Sequence, residues 1–173
     1  MRCCDEIEFS RLISFDPNLR LSLWKTPEEA RKRILYGMKQ CDIMKISEEE
    51  VAFVSEQESL EKGVSFIRDN SDIKILFVTL GNKGSIAYYK DEKIYCRGIH
   101  QEHVVDTTGA GDTFCACVLH YVLEHGLTDL TENGLKEMLT FANAAASIIT
   151  TRKGALRVMP EREEVEKLLS CFN

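Results

Sequence analysis

Apolar residues recur along this chain with two different periods. Leu12–Phe15, Asp42–Ile46 and Ile73–Leu80 are short, strand-length runs bounded by polar or turn residues. The third, a near-continuous series of Ile, Leu, Phe and Val, predicts a strand buried on both faces, as in a parallel sheet covered by helices. Helical patterns alternate with these runs. Thr26-Pro27-Glu28-Glu29 is a helix start: Thr26 caps, Pro27 suits the first helical position and Glu29 completes a capping box. That helix is expected to reach about Gln40. Ser47 opens a second, Glu48 to about Ser55, and Leu60–Arg68 reads as a third. After Gly81-Asn82-Lys83-Gly84, the stretches Ser85–Lys90 and Lys93–Arg97 meet at Asp91-Glu92 and read as a hairpin. Val104–Asp112 leads into a helix ending near His125, with Phe114, Cys117, Val118, Tyr121 and Val122 as its apolar stripe. An Ala-rich helix, Leu135–Thr150, and an amphipathic one, Pro160–Cys171, complete the chain. Trp24 and Tyr36 are expected in the core. Strands alternating with helices predict an α/β fold with a mainly parallel sheet.

Composition narrows the function classes. The 173 residues carry a net charge of −6 and are 44% apolar, enough for one domain with its own core. An acidic balance argues against general nucleic-acid binding, which needs a basic face. No apolar run approaches the roughly 20 residues of a bilayer span, so no membrane contact is expected. Met1–Ser10 holds Asp5, Glu6 and Glu8 and lacks the apolar core of a secretory signal. Seven cysteines, at 3, 4, 41, 96, 115, 117 and 171, include no C-x-x-C pair. They read as reduced thiols of a cytoplasmic protein. His100, His103, His120 and His125 form no H-x-x-x-H pair and read as surface residues.

The chemistry concentrates in Val105-Asp106-Thr107-Thr108-Gly109-Ala110-Gly111-Asp112-Thr113-Phe114. Small residues directly precede a strong helix. Without side chains at Gly109 and Gly111, the backbone can turn tightly and present successive N–H groups beside the positive end of the helix dipole, an anion site suited to phosphate. Asp112 falls in the first helical turn, where a carboxylate could accept a proton from an attacking hydroxyl. A Gly-rich turn with an Asp in the first turn is also ordinary dipole complementation. The segment is neither G-x-x-x-x-G-K-[ST] nor G-x-G-x-x-G.

Asp106–Asp112, D-T-T-G-A-G-D, resembles the C-terminal signature of the ribokinase-like (PfkB-type) carbohydrate kinases. Other segments resemble the family in the same order. Asp16-Pro17-Asn18-Leu19-Arg20 is similar to its D-P-N-x-R segment. Lys45-Ile46-Ser47-Glu48-Glu49-Glu50 resembles the fructokinase form of its N-x-x-E region, and Thr79-Leu80-Gly81-Asn82-Lys83-Gly84 its nucleotide loop. Phe141–Ala146 and Thr151–Ala155 resemble its last helix and following loop. The resemblance implies a Rossmann-like three-layer fold, ATP and Mg²⁺ as cofactors, and a sugar as substrate. It implies Asp112 as catalytic base, with Gly109, Ala110 and Gly111 around the transferring phosphate. Ser47, Thr79, Gly81, Lys83, Gly84 and Asn143 would line the nucleotide, and Glu50 would order water around Mg²⁺. Asn18 and Arg20 would face the sugar. Asp106 and Thr108, with carbonyls near Ile149, Arg152 and Gly154, would hold K⁺ or another monovalent cation. Family members often add a side-chain oxygen where Val158 stands here.

Ser47-x-x-Glu50 is equally a plain capping box. Residues 12–173 thus resemble the nucleotide-side portion of a sugar kinase, with 1–11 an atypical N-terminal segment. The sugar-binding Gly-Gly signature, the first strands and the lid of the family find no match. Two other readings stay open: a non-catalytic nucleotide-binding remnant or interaction module, and a kinase for a nucleoside or a keto-deoxy sugar acid. A homo-oligomer is compatible with all of them.

Overall fold

A computed structural model of the chain describes residues 12–172. The readings made for residues 1–11 lie outside the described residues. Five strands form one sheet in sequential order: β1 (Ser14–Phe15), β2 (Ile43–Ser47), β3 (Ile75–Thr79), β4 (Gly84–Tyr89) and β5 (Glu92–Arg97). β1, β2 and β3 run parallel, and β4 and β5 are antiparallel. The change of direction has a local cause. Helical crossovers separate the first three strands, whereas only the turn Gly81–Lys83 joins β3 to β4, and so short a link reverses the chain. The hairpin expected from Asp91-Glu92 is β4–β5.

Six helices cover the sheet: α1 (Pro27–Met38), α2 (Glu48–Ser55), α3 (Leu60–Asp69), α4 (Ala110–His125), α5 (Glu132–Ile149) and α6 (Arg162–Ser170). Side-chain alternation along the strands sorts them into two outer layers. Ile43, Ile75, Phe77, Ala87 and Tyr89 point to one face and pack against Phe114, Val118 and Val122 of α4 and Leu135, Met138, Leu139 and Ala142 of α5. Met44, Ile46, Leu76, Val78 and Ile86 point to the other, against Ile34 and Met38 of α1, Val51 and Val54 of α2, and Val64 and Ile67 of α3. The result is the expected three-layer α/β sandwich. α6 packs outside α5 through Val165 against Ala144 and Ala145.

The caps behave as their chemistry requires. Ser47 accepts the Glu50 amide while Glu50 returns a bond to the Ser47 amide, a complete capping box. Thr26 accepts the Glu29 amide, but the reciprocal bond from Glu29 is not formed. α5 starts three residues before Leu135 because Thr131 caps it by accepting the Gly134 amide. Tyr36 is 67% exposed, against the expectation of a core residue. The buried face of α1 is Ala30, Ile34 and Met38, and a residue two positions from Ile34 is turned about 200° away. Trp24 is half-buried. Among the described residues no helix is long and apolar enough to cross a membrane, all four histidines are exposed, and Cys41, Cys96, Cys115, Cys117 and Cys171 are free thiols. Burial pushes the Cys41, Cys115 and Cys117 thiols up to about 11, so they are protonated at neutral pH.

Asp42 ties together the amino ends of three strands. Its carboxylate accepts the Ile13 amide at 2.8 Å and pairs with Lys74 at 2.9 Å, while its own N–H donates to Ile13 and its carbonyl accepts from Lys74. The Ile13 amide, then the Lys74 ammonium, hold the carboxyl below the ordinary carboxylate range. A depressed folded value means that the contribution is present above about pH 4 and is lost as the pH falls through the folded value. Asp42→Ala is expected to cost about 1 kcal/mol at pH 7, about 2–4 °C in melting temperature. In thermal denaturation the gap to wild type should narrow as the pH is lowered from about 4; a gap that widens would contradict this account.

Candidate active site

The carboxyl ends of the parallel strands lie side by side. Asp16 follows β1, and Ser47 ends β2 in register with Thr79, which ends β3. Open α/β sheets bind ligands at this edge. Here a cavity of ≈ 420 Å³ opens, lined by Lys45, Ser47, Thr79, Gly81, Gly84, Thr107, Ala110, Gly111, Asn143 and Thr150, among others. That volume lies within the range of small-molecule sites.

The first turn of α4 forms one wall. Gly109 caps the helix at φ +82°, a left-handed conformation that glycine adopts without strain. A side chain at Gly109 would also press on Ala155 and Ile149. Of the four orphan amides at the start of this helix, that of Ala110 is satisfied locally by the Thr107 carbonyl, while the Thr113 amide makes the first intrahelical bond, to Gly109. Those of Gly111 and Asp112 have no partner among the described residues. They are the free donors of an anion site at the positive end of a helix. The Asp112 carboxylate beside them is exposed and takes part in no hydrogen bond or ion pair among the described residues. An anion and a general base can therefore meet at this turn.

The other predicted residues divide into those that border the cavity and those that build it. Ser47, Thr79, Gly81, Gly84 and Asn143 line it. Asn143, 7% exposed, has its polar atoms engaged within the fold: it accepts from the Ser85 hydroxyl at 2.9 Å and donates to the Cys96 and Arg97 carbonyls. It therefore bolts α5 to the β4–β5 hairpin and shapes the wall. Lys83 is not among the lining residues. Its ammonium lies 3.5 Å from Glu48, and both side chains are well exposed. Glu50 is buried, with one oxygen accepting the Leu19 amide at 2.6 Å and the other the Ser47 amide at 2.8 Å. It clasps the Asp16–Arg20 segment to the start of α2. On that segment Asn18 is at φ +42° with its amide on Asp16, and Arg20 is exposed and folds back onto the Leu19 carbonyl.

The segments expected to hold a monovalent cation are brought together. The amides of Val105 and Asp106 donate to the Thr150 carbonyl. Asp106 accepts the Thr108 amide at 2.9 Å and the Gly154 amide at 3.2 Å, joining the loop before α4 to the loop after α5. The Thr108 side chain and these amides hold the Asp106 carboxyl below its ordinary range. Ile149 is fully buried, and Arg152 turns its guanidinium to Glu164 and the Val158 carbonyl. Among the described residues no group of three His, Cys, Asp or Glu could hold a metal ion.

Two residues at the site were not singled out from the sequence. Lys45, in the middle of β2, is 6% exposed and pairs with Asp16 at 3.1 Å. Burial raises the Asp16 carboxyl, and the Lys45 ammonium opposes that rise. The signal was a charge in the apolar run Ile43-Met44-Lys45-Ile46, which a buried strand does not carry without a partner.

The fold and this edge define an α/β protein that presents free helix-start amides and an unpaired carboxylate near the ends of parallel strands. A family model described as pfkB family carbohydrate kinase matches residues 2–162, and the chain belongs to that family. It is 39% identical to Fructokinase-1 of Oryza sativa subsp. japonica over 94% of its own length and 50% of that protein's. Among solved structures it is similar to a double mutant of fructokinase from Vibrio cholerae O395 with fructose, ADP and potassium bound. The TM-score is 0.82 at 30% identity, over 91% of this chain and 50% of that one. It is also similar to aminoimidazole riboside kinase from Salmonella enterica, complexed with aminoimidazole riboside and an ATP analog. There the TM-score is 0.80 at 26% identity, over 92% of this chain and 52% of that one. The chain spans about half the length of the curated relatives it matches.

Gly84 gives the site's most direct stability test. At φ +114°, a Cβ here would overlap the Cys96 carbonyl oxygen and the Gly98 amide nitrogen, both backbone atoms of the neighbouring strand and its exit. Gly84→Ala is expected to cost at least about 2 kcal/mol, seen as a lower midpoint in urea unfolding. A wild-type midpoint would show that the β4–β5 junction yields freely.

Proposed function

We propose that the protein transfers the terminal phosphate of ATP to a hydroxyl of a sugar of the fructose type. The observation that carries this reading is the first turn of α4, where Ala110 and Gly111 line the cavity and the free amides of Gly111 and Asp112 share one turn with the unpaired Asp112 carboxylate. Fructose and ADP in a similar fructokinase structure support the substrate class. The riboside in the other similar kinase supports a second reading, a nucleoside-type acceptor at the same site.

In this mechanism the nucleotide lies in the cavity between Ser47, Thr79, Gly81 and Gly84 on the strand side and Asn143 on α5. Its terminal phosphate meets the Gly111 and Asp112 amides. Asp112 removes the proton of the attacking hydroxyl as the new O–P bond forms and the bond to the β-phosphate oxygen breaks, releasing ADP. The helix dipole and the two amides stabilise charge on the transferred group. Mg²⁺, when bound, neutralises phosphate charge, and it fits here as a companion of the nucleotide phosphates rather than in an all-protein cage. K⁺ or another monovalent cation would be held where Asp106 and Thr108 meet the 149–154 segment, and there it would firm up the loop that carries the cradle. Asn18 and Arg20 reach the acceptor from the β1 side.

Asp112 and Arg20 are exposed, so the described residues grip an acceptor from one side. ATP-dependent phosphorylation of fructose by this 173-residue chain alone is therefore expected to be weak. Asp112→Ala should reduce the residual rate by about 10²–10⁴-fold while ATP·Mg binding by calorimetry persists. Turnover unchanged by the substitution would overturn the role given to Asp112. Absence of ATP binding at millimolar concentration would favour a remnant without a live nucleotide site.

A further inference from the structure

Among the described residues Lys45 is the only lysine or arginine that is buried. Strand alternation puts it on the same face as Ile43, under α4, where its register partner Phe77 packs edge-on against Phe114. Holding an ammonium there costs several kcal/mol unless it is well paired. Asp16 supplies one partner, through oxygens at 3.1 and 3.4 Å. An ammonium has three donors, and no other acceptor for Lys45 occurs among the described residues. A Cβ built on Gly111 would lie 2.9 Å from the Lys45 nitrogen, and both residues line the cavity. The ammonium is thus directly against the turn that offers the free Gly111 and Asp112 amides.

An ion pair that merely joined β1 to β2 would not need this position. It could lie at a solvated strand end, as Asp42 and Lys74 do. We propose that Lys45 is a catalytic residue that binds the phosphoryl group being transferred, adding a full positive charge to the anion cradle from the sheet side. The remaining donor points the charge of the buried pair toward the one place nearby where negative charge accumulates during phosphoryl transfer. This inference rests on the nucleotide reading above and names a contact specific to the terminal phosphate.

The test is calorimetric titration of the 173-residue chain with ATP and, separately, ADP, both in excess Mg²⁺. Lys45→Met keeps the apolar stem and removes the donors. It should weaken ATP at least about tenfold and leave ADP within about threefold of wild type. Lys45→Met combined with Asp16→Asn, which leaves no unpaired buried charge, should show the same ATP-selective loss. Lys45→Arg should restore part of it. Retained ADP binding reports that the cavity is folded. Equal weakening of ATP and ADP, or undiminished ATP binding, would overturn the assignment to the transferred group while the nucleotide reading stands. A wild-type chain that binds neither nucleotide would overturn that reading, and this proposal with it.

Discussion

The candidate site depends on how closely the first turn of α4 approaches the end of β2. A side chain at Gly111 would begin 2.9 Å from the Lys45 ammonium, which would have to shift to admit it. Gly109 must adopt a left-handed cap with Ala155 and Ile149 pressed behind it. One turn further on, Phe114 anchors the helix by an edge-on contact with Phe77, ring centroids 6.2 Å apart. This close packing leaves the Thr113 hydroxyl buried without a partner among the described residues, a cost of about 1–3 kcal/mol. The pairing of α4 with the sheet outweighs that cost, because it rests on Phe114, Val118 and Val122, all nearly fully buried.

Acidic residues at both edges of the sheet hold this framework together. Asp42, Glu50 and Asp106 each accept backbone amides from segments far away in sequence. They act as clasps: Asp42 at the amino ends of the strands, Glu50 between the β1 loop and α2, Asp106 between the loops that flank α4 and α5. A carboxylate suits this task because its two oxygens can each take an amide, and charge-assisted hydrogen bonds are stronger than neutral ones. Asp112 has no such engagement. Its carboxylate is exposed and unpaired among the described residues, in the same turn as the free Gly111 amide, which leaves it available for the general-base role proposed for it.

Much of this architecture was legible in the residues. Ile75–Thr79 is apolar at every position but the last, which left only a doubly covered strand. Ser47 and Glu50 spelled out a capping box that is formed in full. The glycines of the D-T-T-G-A-G-D segment fall at the turn before α4, as their freedom from side chains suggested, while the functional reading of that turn came from the resemblance rather than from the spacing. What stayed hidden needed the third dimension. Tyr36 looked like core until the phase of α1 was set by Ala30, Ile34 and Met38. The capping box of Glu50 could be read from the sequence, but not the bond of its second oxygen to the Leu19 amide, 31 positions away in sequence. Lys83 reads as a nucleotide contact, and in the fold its side chain turns to Glu48, outside the residues that line the cavity. Lys45 could not be placed from its strand alone, since a single charge in an apolar run says nothing of which helix lies above it.

The central claim is that an anion is bound by the first turn of α4 at the carboxyl edge of the sheet. Amide chemical shifts of the ¹⁵N-labelled chain, followed while ADP·Mg is added, test it most directly. The account predicts that the Gly111 and Asp112 amides move most, together with Gly81 and Gly84 across the cavity. Shifts centred instead on the opposite end of the sheet, around Lys74, Lys90 and Thr128, with Gly111 and Asp112 unmoved, would contradict it.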